Sequence, residues 1–289
     1  MFRALRGCVS ARRKARAGGC PMIFKIDCRA QLRRLSGMRC LLPAVIAALV
    51  VPASAWEVTA GRELGTLPSG AGIRETTFAG GGTSARATSM VFSNKSWALR
   101  VVDSPQPGEA TLAGALAQAG CVAGVNGSYF HPDFRPVGLA ISDGRLVNGF
   151  ERAKLLSGVL AVRGGRIEIV RSSKFQNSPE VRQAVQAGPV LVEDGVPTSG
   201  LNSERPARRT VVATDGRGQW ALVYMTAVTL ADAAEILSTP GAIAEWKVAT
   251  ALNLDGGSSS GLWADASPAP VSRPELARVR NFIGIAPKP

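Results

Sequence analysis

Cysteine and histidine are scarce in this chain of 289 residues, and aromatic residues make up only 6% of it. Four of its five cysteines lie within residues 1–55, which leaves Cys121 as the only thiol beyond that point. A lone thiol cannot form an intrachain disulfide, so the remainder is not a disulfide-stabilised scaffold. Because the chain also has a single histidine, His131, we do not expect a zinc site, which draws on several such ligands.

Acidic residues are almost absent from the first 55 positions. This segment holds 11 of the 34 lysines and arginines but only one acid, Asp27, whereas the remainder holds 23 basic and 20 acidic residues. The formal net charge of +13 is therefore concentrated at the N-terminus. The nearly neutral remainder does not indicate a nucleic-acid partner, and we expect none.

Residues 38–55 have the pattern of a secretory signal peptide. Arg39 supplies a positive charge, residues 41–51 form an apolar run, and an Ala-Ser-Ala cleavage site ends the segment. The run is shorter than the about 20 apolar residues that cross a bilayer, so we expect no stable membrane anchor. A buried helix is the alternative. The pattern predicts a periplasmic or secreted protein.

Long linkers, internal repeats and low-complexity tracts are lacking from residues 56–289, which indicates one domain. Residues 1–37 are then a basic extension, a transit peptide or the product of a start codon assigned too early. Short runs rich in Val, Ile, Leu and Thr between Gly, Pro and Ser clusters predict strands. The predicted strands are 73–79, 88–93, 97–102, 122–125, 137–142, 158–163, 166–170, 190–193, 210–214, 219–226, 250–254 and 282–286.

Three segments predict helices, at 109–119, 178–187 and 229–237. The second begins with Ser-Pro, and the third has Thr229 as its N-cap. Glycine-rich turns within 163–166 and 214–218 predict two hairpins, and the order strand–helix–strand around 109–125 permits a parallel crossover. We therefore expect an α+β fold with a mixed, largely antiparallel β-sheet core and a few packed helices.

Polar residues are dense after one predicted strand, within residues 122–138. The strand delivers Asn126 into a glycine-containing turn, and His131, Asp133 and Arg135 follow it. Loops on a rigid scaffold often carry function, so these residues are candidates for chemistry. An ordinary Asn-Gly turn whose polar groups only satisfy the loop is the alternative.

Two adjacent arginines, Arg208 and Arg209, precede the predicted strand 210–214. Side chains alternate along a strand, so at most one of the two faces a given side. An inward arginine would suit a phosphate or a carboxylate, whereas a solvated pair at a sheet edge is the alternative. Gly188-Pro189, upstream, indicates the end of one element and the start of another.

The segment 250–261 carries the strongest signal, because Asn253 and Asp255 interrupt an apolar strand that ends in two glycines and three serines. Asn253 and Asp255 share one face of that strand. A loop containing Gly256, Gly257 and Ser258 can present backbone N–H groups to an anion or a substrate oxygen. The alternative is a Gly/Ser linker, although a linker does not need Asn and Asp within an apolar run.

No P-loop, dinucleotide fingerprint or G-x-S-x-G motif is present, and no Ser-His-Asp triad follows from the spacing. We expect no organic cofactor. A divalent cation such as Ca²⁺ or Mg²⁺ on Asp255, Asn126 or Asp133 stays open.

Four pieces in this order resemble the phosphodiester glycosidase family, and a bacterial exported branch of it in particular. They are Val-Asn-Gly-Ser-Tyr-Phe at 125–130, Ala-Gly-Pro-Val-Leu-Val-Glu-Asp-Gly at 187–195, Arg-Thr-Val-Val at 209–212 and Ala-Leu-Asn-Leu-Asp-Gly-Gly-Ser-Ser at 251–259. The resemblance covers roughly residues 88–285. It implies an exported hydrolase that splits the C1–O bond of a sugar phosphodiester, for example in envelope glycan or exopolysaccharide.

Against that chemistry, Asp255 is the expected carboxylate that activates water or attacks the sugar, with Asp133 as the second choice and His131 tuning its protonation. Arg209, or failing it Arg208, would neutralise the departing phosphate. Asn126 would bind a sugar hydroxyl or orient water. The expected substrate-binding residues are Gly256, Gly257, Ser258, Arg208, Tyr129 and Gly188. A sugar phosphodiester or glycan is the expected substrate.

Two other functions stay open at this stage. One is a non-catalytic carbohydrate- or polymer-binding protein that retains the pocket. The other is a phosphodiesterase that attacks at phosphorus instead of carbon.

Overall fold

Antiparallel β-sheet dominates the protein. The computed structural model describes residues 55–106 and 111–288, which all belong to one compact unit. The strands are β1 (Glu57–Thr66), β2 (Gly72–Gly80), β3 (Thr83–Ser93), β4 (Trp97–Asp103), β5 (Ala123–Asn126), β6 (Ala140–Ser142), β7 (Arg145–Asn148), β8 (Gly158–Arg163), β9 (Arg166–Arg171), β10 (Val181–Ala187), β11 (Val190–Glu193), β12 (Val196–Pro197), β13 (Ala207–Thr214), β14 (Gln219–Val228), β15 (Thr250–Asn253), β16 (Leu262–Ala264), β17 (Val271–Arg273) and β18 (Asn281–Pro287). The helices are α1 (Leu112–Gln118) and α2 (Leu230–Ser238).

Three sheets share these strands. An eight-stranded sheet has the order β1-β2-β3-β14-β13-β15-β11-β12, and two five-stranded sheets have the orders β7-β6-β10-β8-β9 and β17-β16-β5-β18-β4. Every strand pairing in the described residues is antiparallel. Strands account for 48% of the structure and helices for 10%, so the expected α+β class holds in its coarse form, with strands predominating.

One hydrophobic cluster joins the inner faces of all three sheets and includes Met90 and Trp97, together with Val125 and Leu160. Helix α2 covers the other face of the eight-stranded sheet, where Ile236 packs in a second cluster. Helix α1 covers the sheet that contains β5 and β18 through Leu116. The apolar faces on both sides of the central strands explain why they are continuous hydrophobic runs in the sequence.

Each predicted strand overlaps an observed one, and both predicted hairpins are present as β8–β9 and β13–β14. Helix α2 begins after Thr229, whose side chain accepts a hydrogen bond from the Asp232 N–H while the Asp232 carboxylate binds back to Thr229. This capping box satisfies N–H groups that the first helical turn leaves free. Strands β4 and β5, which α1 connects, run parallel but do not pair with each other, because β18 lies between them and is antiparallel to both.

The helix predicted at 178–187 is wrong, since this segment contains strand β10, which pairs with β6 and β8. Strand β10 is buried on both faces, so it shows no alternation of polar and apolar residues that would have indicated a strand. Its glutamines serve the backbone of neighbouring segments: Gln183 accepts a hydrogen bond from the N–H of Val101, and Gln186 accepts one from Leu139. Sheet pairing here overrides the helical propensity of Ala and Gln.

The basic extension and nearly all of the predicted signal peptide, residues 1–54, lie outside the described residues, and their assignment stays a prediction. Among the helices that are described, none has both the length and the apolar character needed to span a bilayer.

Two facing glycines let β5, β18 and α1 approach closely. Gly124 pairs directly with Gly284, and a Cβ built on Gly124 would lie 2.9 Å from the Gly284 Cα and 2.9 Å from a methyl carbon of Leu116. It would also overlap the carbonyl oxygen of Ile283, which belongs to the backbone and cannot move aside cheaply. The close packing fixes β5, whose last residue is Asn126.

We therefore expect Gly124→Ala to lower the free energy of unfolding by about 1–3 kcal/mol, because overpacking forces backbone shifts. Urea unfolding followed by circular dichroism measures the change. The matched control is Gly149→Ala, since a Cβ there meets no heavy atom within 4 Å, and it should change stability by less than about 0.5 kcal/mol. Equal unfolding midpoints for the two variants would contradict this account of the packing.

Candidate active site

The ends of three strands from two sheets meet at one point. Strand β5 ends at Asn126, β13 contains Arg209 and Thr210, and β15 leads into Asp255. The Asp255 N–H donates to the Gly127 carbonyl at 3.0 Å, and the Leu254 N–H donates to the Thr210 carbonyl at 2.8 Å. The structure therefore brings together three segments that the sequence marked separately, with Asn126 and Asp255 129 residues apart in the chain.

The Asn126 side chain joins these segments and is fully buried. Its Nδ2 donates to the Asp255 carbonyl at 2.8 Å, and its Oδ1 accepts from the Thr210 hydroxyl at 2.6 Å and from the Gly261 N–H at 3.1 Å. A buried amide with such partners is strongly fixed. The structure places Asn126 behind the Asp255 backbone, where it positions the loop.

Asp255 is half-buried, and its Oδ1 accepts a hydrogen bond from the Gly256 N–H at 2.9 Å. Burial raises the pKa of the Asp255 carboxyl to about 6, although hydrogen bonds from Ser259 and from the Gly256 N–H act in the opposite direction. Burial has this effect because it disfavours the charged form. No ion pair in the described residues includes Asp255, so the carboxyl changes charge close to neutral pH.

Tyr129 lies beside this carboxyl and is held from two sides. Its hydroxyl donates to the Gly188 carbonyl at 2.6 Å and accepts from Asn253 Nδ2 at 3.0 Å. Burial, followed by the negative charge of Asp255, raises the pKa of Tyr129 above its usual range, so the phenol stays neutral. Asn253 Nδ2 also donates to the Gly188 carbonyl, at 3.0 Å. The Gly188 carbonyl is thus occupied by Tyr129 and Asn253.

Gly188 is also packed too closely for a side chain, since a Cβ would lie 2.8 Å from the Ser157 nitrogen. The Gly188–Pro189 bond is cis and links β10 to β11, where the sequence suggested the end of a helix. In this position Gly188 anchors Tyr129, and any contact with substrate stays a prediction.

Arg209 reaches the rim of the Asp255 loop. Its Nε donates to the Val228 carbonyl at 3.0 Å and its Nη2 to the Arg205 carbonyl at 2.7 Å. Its Nη1 has no hydrogen-bond partner in the described part of the chain and would lie 3.7 Å from a Cβ on Gly256. Burial lowers the pKa of Arg209, while Tyr129 acts to raise it. One edge of the guanidinium therefore stays available at the mouth of the loop.

Arg208 has a different task, because its guanidinium binds three carbonyl groups. They belong to Gly257 at 3.1 Å, Ser258 at 3.3 Å and Pro274 at 3.3 Å. These bonds fix the loop that follows Asp255. The two neighbouring arginines therefore differ: Arg208 holds the loop by its carbonyls, and Arg209 presents the free edge of its guanidinium to the loop.

The predicted N–H cradle contains a short 3₁₀ turn, Gly257–Ser259. Gly257 has φ +65°, a conformation that favours glycine, and Ser258 is exposed. The Gly256 N–H binds the Asp255 carboxylate itself. The first N–H groups of a helical turn have no partner within that turn, so Gly257 and Ser258 are the ones suited to bind an anion.

His131 and Asp133 lie on the loop that follows Tyr129, and the described contacts do not bring them to Asp255. The Asp133 side chain is 66% exposed, and its Oδ1 accepts from the Arg135 N–H at 3.1 Å. The His131 N–H donates to the Arg135 carbonyl at 2.8 Å. These bonds shape the loop, and a catalytic part for either residue stays a prediction.

Sequence reasoning missed Thr210, Ser259 and Asn281. Asn281 Oδ1 accepts from the Ser128 N–H at 2.8 Å, and its carbonyl accepts from the Gly127 N–H at 2.8 Å, so it fixes the turn after Asn126. Asn281 directly precedes a run of apolar residues, a local signal that could have marked it. Thr210 had no comparable signal, because its partner Asn126 is 84 residues away in sequence, and Ser259 was one of three consecutive serines that the sequence did not distinguish.

A hard cation would find one suitable carboxylate at this point. Among the described residues, no group of three or more His, Cys, Asp or Glu side chains converges. Asn126 Oδ1 is occupied by Thr210 and Gly261, and Asp133 faces outward. Ca²⁺ or Mg²⁺ bound to Asp255 would therefore draw its other ligands from backbone carbonyls and water.

A cleft of about 680 Å³ lies elsewhere, lined by residues that include Phe150, Leu156 and Phe175. Its lining does not include Asp255, Tyr129 or Arg209. We place the candidate active site at Asp255, because the perturbed carboxyl and the available guanidinium edge are found there.

A sequence profile of phosphodiester glycosidases matches residues 119–286, which is more than half of the chain. The chain is 35% identical over 97 residues to the uncharacterized protein YigE of Escherichia coli K12. This match covers 30% of the chain and 37% of YigE, so it spans well under half the length of that relative.

Two solved structures have a similar fold. The catalytic domain of zebrafish N-acetylglucosamine-1-phosphodiester α-N-acetylglucosaminidase, auto-inhibited by its pro-peptide, aligns with a TM-score of 0.52 at 17% identity over 83% of this chain and 85% of that one. A hypothetical protein from Synechocystis aligns with a TM-score of 0.52 at 17% identity over 74% and 62% of the two chains. At these identities the likeness concerns the fold alone. The profile match, which covers more than half of the chain, shows that this protein belongs to the phosphodiester glycosidase family.

Proposed function

We propose that the protein is an exported hydrolase that cleaves the bond between C1 of a sugar and the oxygen of a phosphodiester, in envelope glycan or exopolysaccharide metabolism. Family membership supports the coarser part of this proposal, a hydrolase acting on phosphodiester glycosides. The cleavage at C1 is proposed from the half-buried Asp255 carboxyl, which has no cationic partner in the described residues and lies beside Tyr129. The Arg209 guanidinium lies at the neighbouring Gly256. Export, to the periplasm or the medium, rests on the pattern of residues 38–55.

Asp255 supplies the group that the sugar side of the reaction needs. In its ionised form it takes a proton from water as the water oxygen bonds to C1, or it bonds to C1 itself and is later displaced by water. In both routes the C1–O bond to phosphate breaks. A carboxyl with a pKa of about 6 is mostly ionised at neutral pH and remains basic enough to accept a proton.

Arg209 suits the phosphate side of the reaction. A phosphate monoester is a stable leaving group that needs little protonation, but its negative charge grows as the C1–O bond breaks. The available Nη1 edge of Arg209 and the N–H groups of Gly257 and Ser258 can stabilise that charge. Because Arg208 and Asn126 hold these groups through the loop backbone, little reorganisation is needed during reaction. No electron transfer is involved, so no organic cofactor is proposed.

The first prediction for this function concerns Asp255→Asn. We expect release of free sugar from a panel of phosphodiester-linked sugars by the wild-type protein, and a loss of about 10³-fold or more in kcat for the variant. Asp265→Asn, which changes an exposed carboxylate, is the control and should retain activity. Full turnover by Asp255→Asn would refute the mechanism. If the folded wild-type protein turned over none of the sugars, a binding protein would be favoured. A parallel assay with EDTA tests whether a cation is required.

Hydrolysis in ¹⁸O-labelled water separates attack at carbon from attack at phosphorus. If the C1–O bond breaks, the label enters the sugar and the phosphate monoester contains none. Label in the phosphate would instead identify a phosphodiesterase. Mass spectrometry of both products gives the answer in one experiment.

The second prediction concerns the pH dependence of the same reaction. Asp255 acts in its ionised form, so kcat/KM should fall about tenfold per pH unit below an apparent pKa of about 6 and level off above it. Initial rates between pH 4 and pH 8 measure the profile. A limb near the ordinary pKa of an aspartate, about 4, would show that the carboxyl is not desolvated in the working enzyme. Activity that rises toward acid pH would mean that Asp255 acts as a proton donor.

A further inference from the structure

A smaller, polar cleft lies on the inner side of the eight-stranded sheet. It has a volume of about 240 Å³. Three arginines, one carboxylate and two hydroxyl residues line most of it: Arg62, Arg86, Arg273, Glu75, Thr88 and Tyr224. Such a lining of charged and hydroxyl groups is suited to an anion rather than to an apolar ligand.

The charges in this cleft do not balance. Glu75 is 9% exposed and accepts hydrogen bonds from Arg62 Nε at 3.0 Å and from Arg273 Nη2 at 2.7 Å. Burial by itself would raise the pKa of Glu75, but the hydrogen bonds from Arg273 and Arg62 outweigh it and hold that pKa below its usual range. Glu75 thus offsets one positive charge and orients two guanidinium groups. With Arg86, the cleft retains an excess of two positive charges.

Three of the lining groups have no protein partner. The Arg86 guanidinium forms no hydrogen bond or ion pair with any described residue, and the same holds for the hydroxyls of Thr88 and Tyr224. Thr88 is 2% exposed and Tyr224 is 9% exposed. These two hydroxyls open onto the cleft, so they are available to a ligand with hydrogen-bond acceptors.

The sheet connects this cleft to Asp255 by direct strand pairing. Glu75 pairs with Thr88, Thr88 with Tyr224 and Tyr224 with Thr210, and paired residues project from the same face. The Thr210 hydroxyl binds Asn126, which holds the Asp255 carbonyl. Neighbouring strands are about 4.8 Å apart, so Thr88 lies about 10 Å from Thr210 across the sheet. A shorter link runs through Arg273, which lines the cleft and precedes Pro274, whose carbonyl accepts a hydrogen bond from Arg208. Arg208 in turn holds the carbonyls of Gly257 and Ser258 in the Asp255 loop, so we infer that one sugar unit can connect a phosphate at that loop with one in the cleft.

We propose that this cleft is a second anion-binding subsite, which takes a phosphate group one sugar unit away from the bond that is cleaved. The inference rests on the proposed function and adds that the substrate is a chain with repeated phosphate groups. Guanidinium groups from β1, β3 and β17 reach the cleft from different directions, with hydroxyls from β3 and β14. That arrangement fits the tetrahedral oxygens of phosphate better than a planar carboxylate, which one arginine fork would bind.

Phosphate binding tests the subsite without any need for turnover. The full chain carrying Asp255→Asn is titrated with inorganic phosphate at constant ionic strength, and the arginine Nε–Hε signals are followed by NMR. We expect saturable shifts at Arg62, Arg86 and Arg273, and a dissociation constant at least about tenfold higher when Arg86→Gln is added. Arg166→Gln, which removes an exposed arginine on the β8–β9 hairpin, is the matched control and should leave binding unchanged.

Other results of that titration would overturn the proposal. Shifts confined to Arg209 would assign phosphate to the active site alone, and equal effects of Arg86→Gln and Arg166→Gln would indicate unspecific binding. Acetate at the same concentrations is the second probe. Binding of acetate as tight as that of phosphate would identify a carboxylate subsite instead.

Kinetics then link the subsite to the substrate. With the catalytic Asp255 intact, Arg86→Gln should raise KM about tenfold for a sugar chain with two phosphodiesters and leave kcat unchanged. It should not change either constant for a substrate with one phosphodiester. If the wild-type protein and Arg86→Gln had equal KM values for the longer substrate, the cleft would not be a substrate subsite. The proposed chemistry at Asp255 would be unaffected by that result. Absence of all turnover, with phosphate still bound in the cleft, would instead refute the proposed function.

Discussion

The buried amide of Asn126 is the interaction on which the site depends. It binds the backbone that follows β15, the Thr210 side chain of β13 and the Gly261 N–H, and it is itself the last residue of β5. Directional bonds thus add to the apolar packing between the two sheets at this point. Because these partners occupy Asn126 inside the protein, its side chain fixes the backbone position of Asp255.

Asp255 illustrates a compromise between stability and function. The fold buries this carboxyl without an ion-pair partner in the described residues, which raises its pKa to about 6 and disfavours the charged form. The folded state is therefore destabilised as the pH rises from the ordinary aspartate pKa through this value, and an ionised form with raised basicity is obtained in return. Arg209 and Arg208 donate their hydrogen bonds to backbone carbonyls, so neither forms an ion pair with Asp255 in the described residues. The cleft around Glu75 shows the opposite arrangement, since two arginines there hold one carboxylate in its charged form.

The sequence was informative where a pattern was local. Central strands such as β13 and β14, the Gly-Gly hairpin and the Thr229 cap could be predicted because each depends on neighbouring residues. Strand β1 was missed because it is an exposed edge strand with two irregularities in its register, so it has no clean alternation. The helix predicted at 178–187 failed for the opposite reason, since burial of both faces of β10 removed the alternation. In the site, the three marked segments do meet, but the partners that hold them, Thr210 and Asn281, follow from pairing between distant segments, which no local pattern contains.

The most direct test of this account is the ionisation of Asp255 itself, measured by ¹³C NMR of the aspartate carboxyl carbons between pH 3 and pH 8. Loss of one signal in Asp255→Asn assigns the resonance. The account predicts a pKa of about 6 for that carboxyl, because it is desolvated and has no cationic partner in the described residues. A pKa at the ordinary value of about 4 would contradict it, since Asp255 would then be a solvated side chain on a loop, with no distinct chemistry.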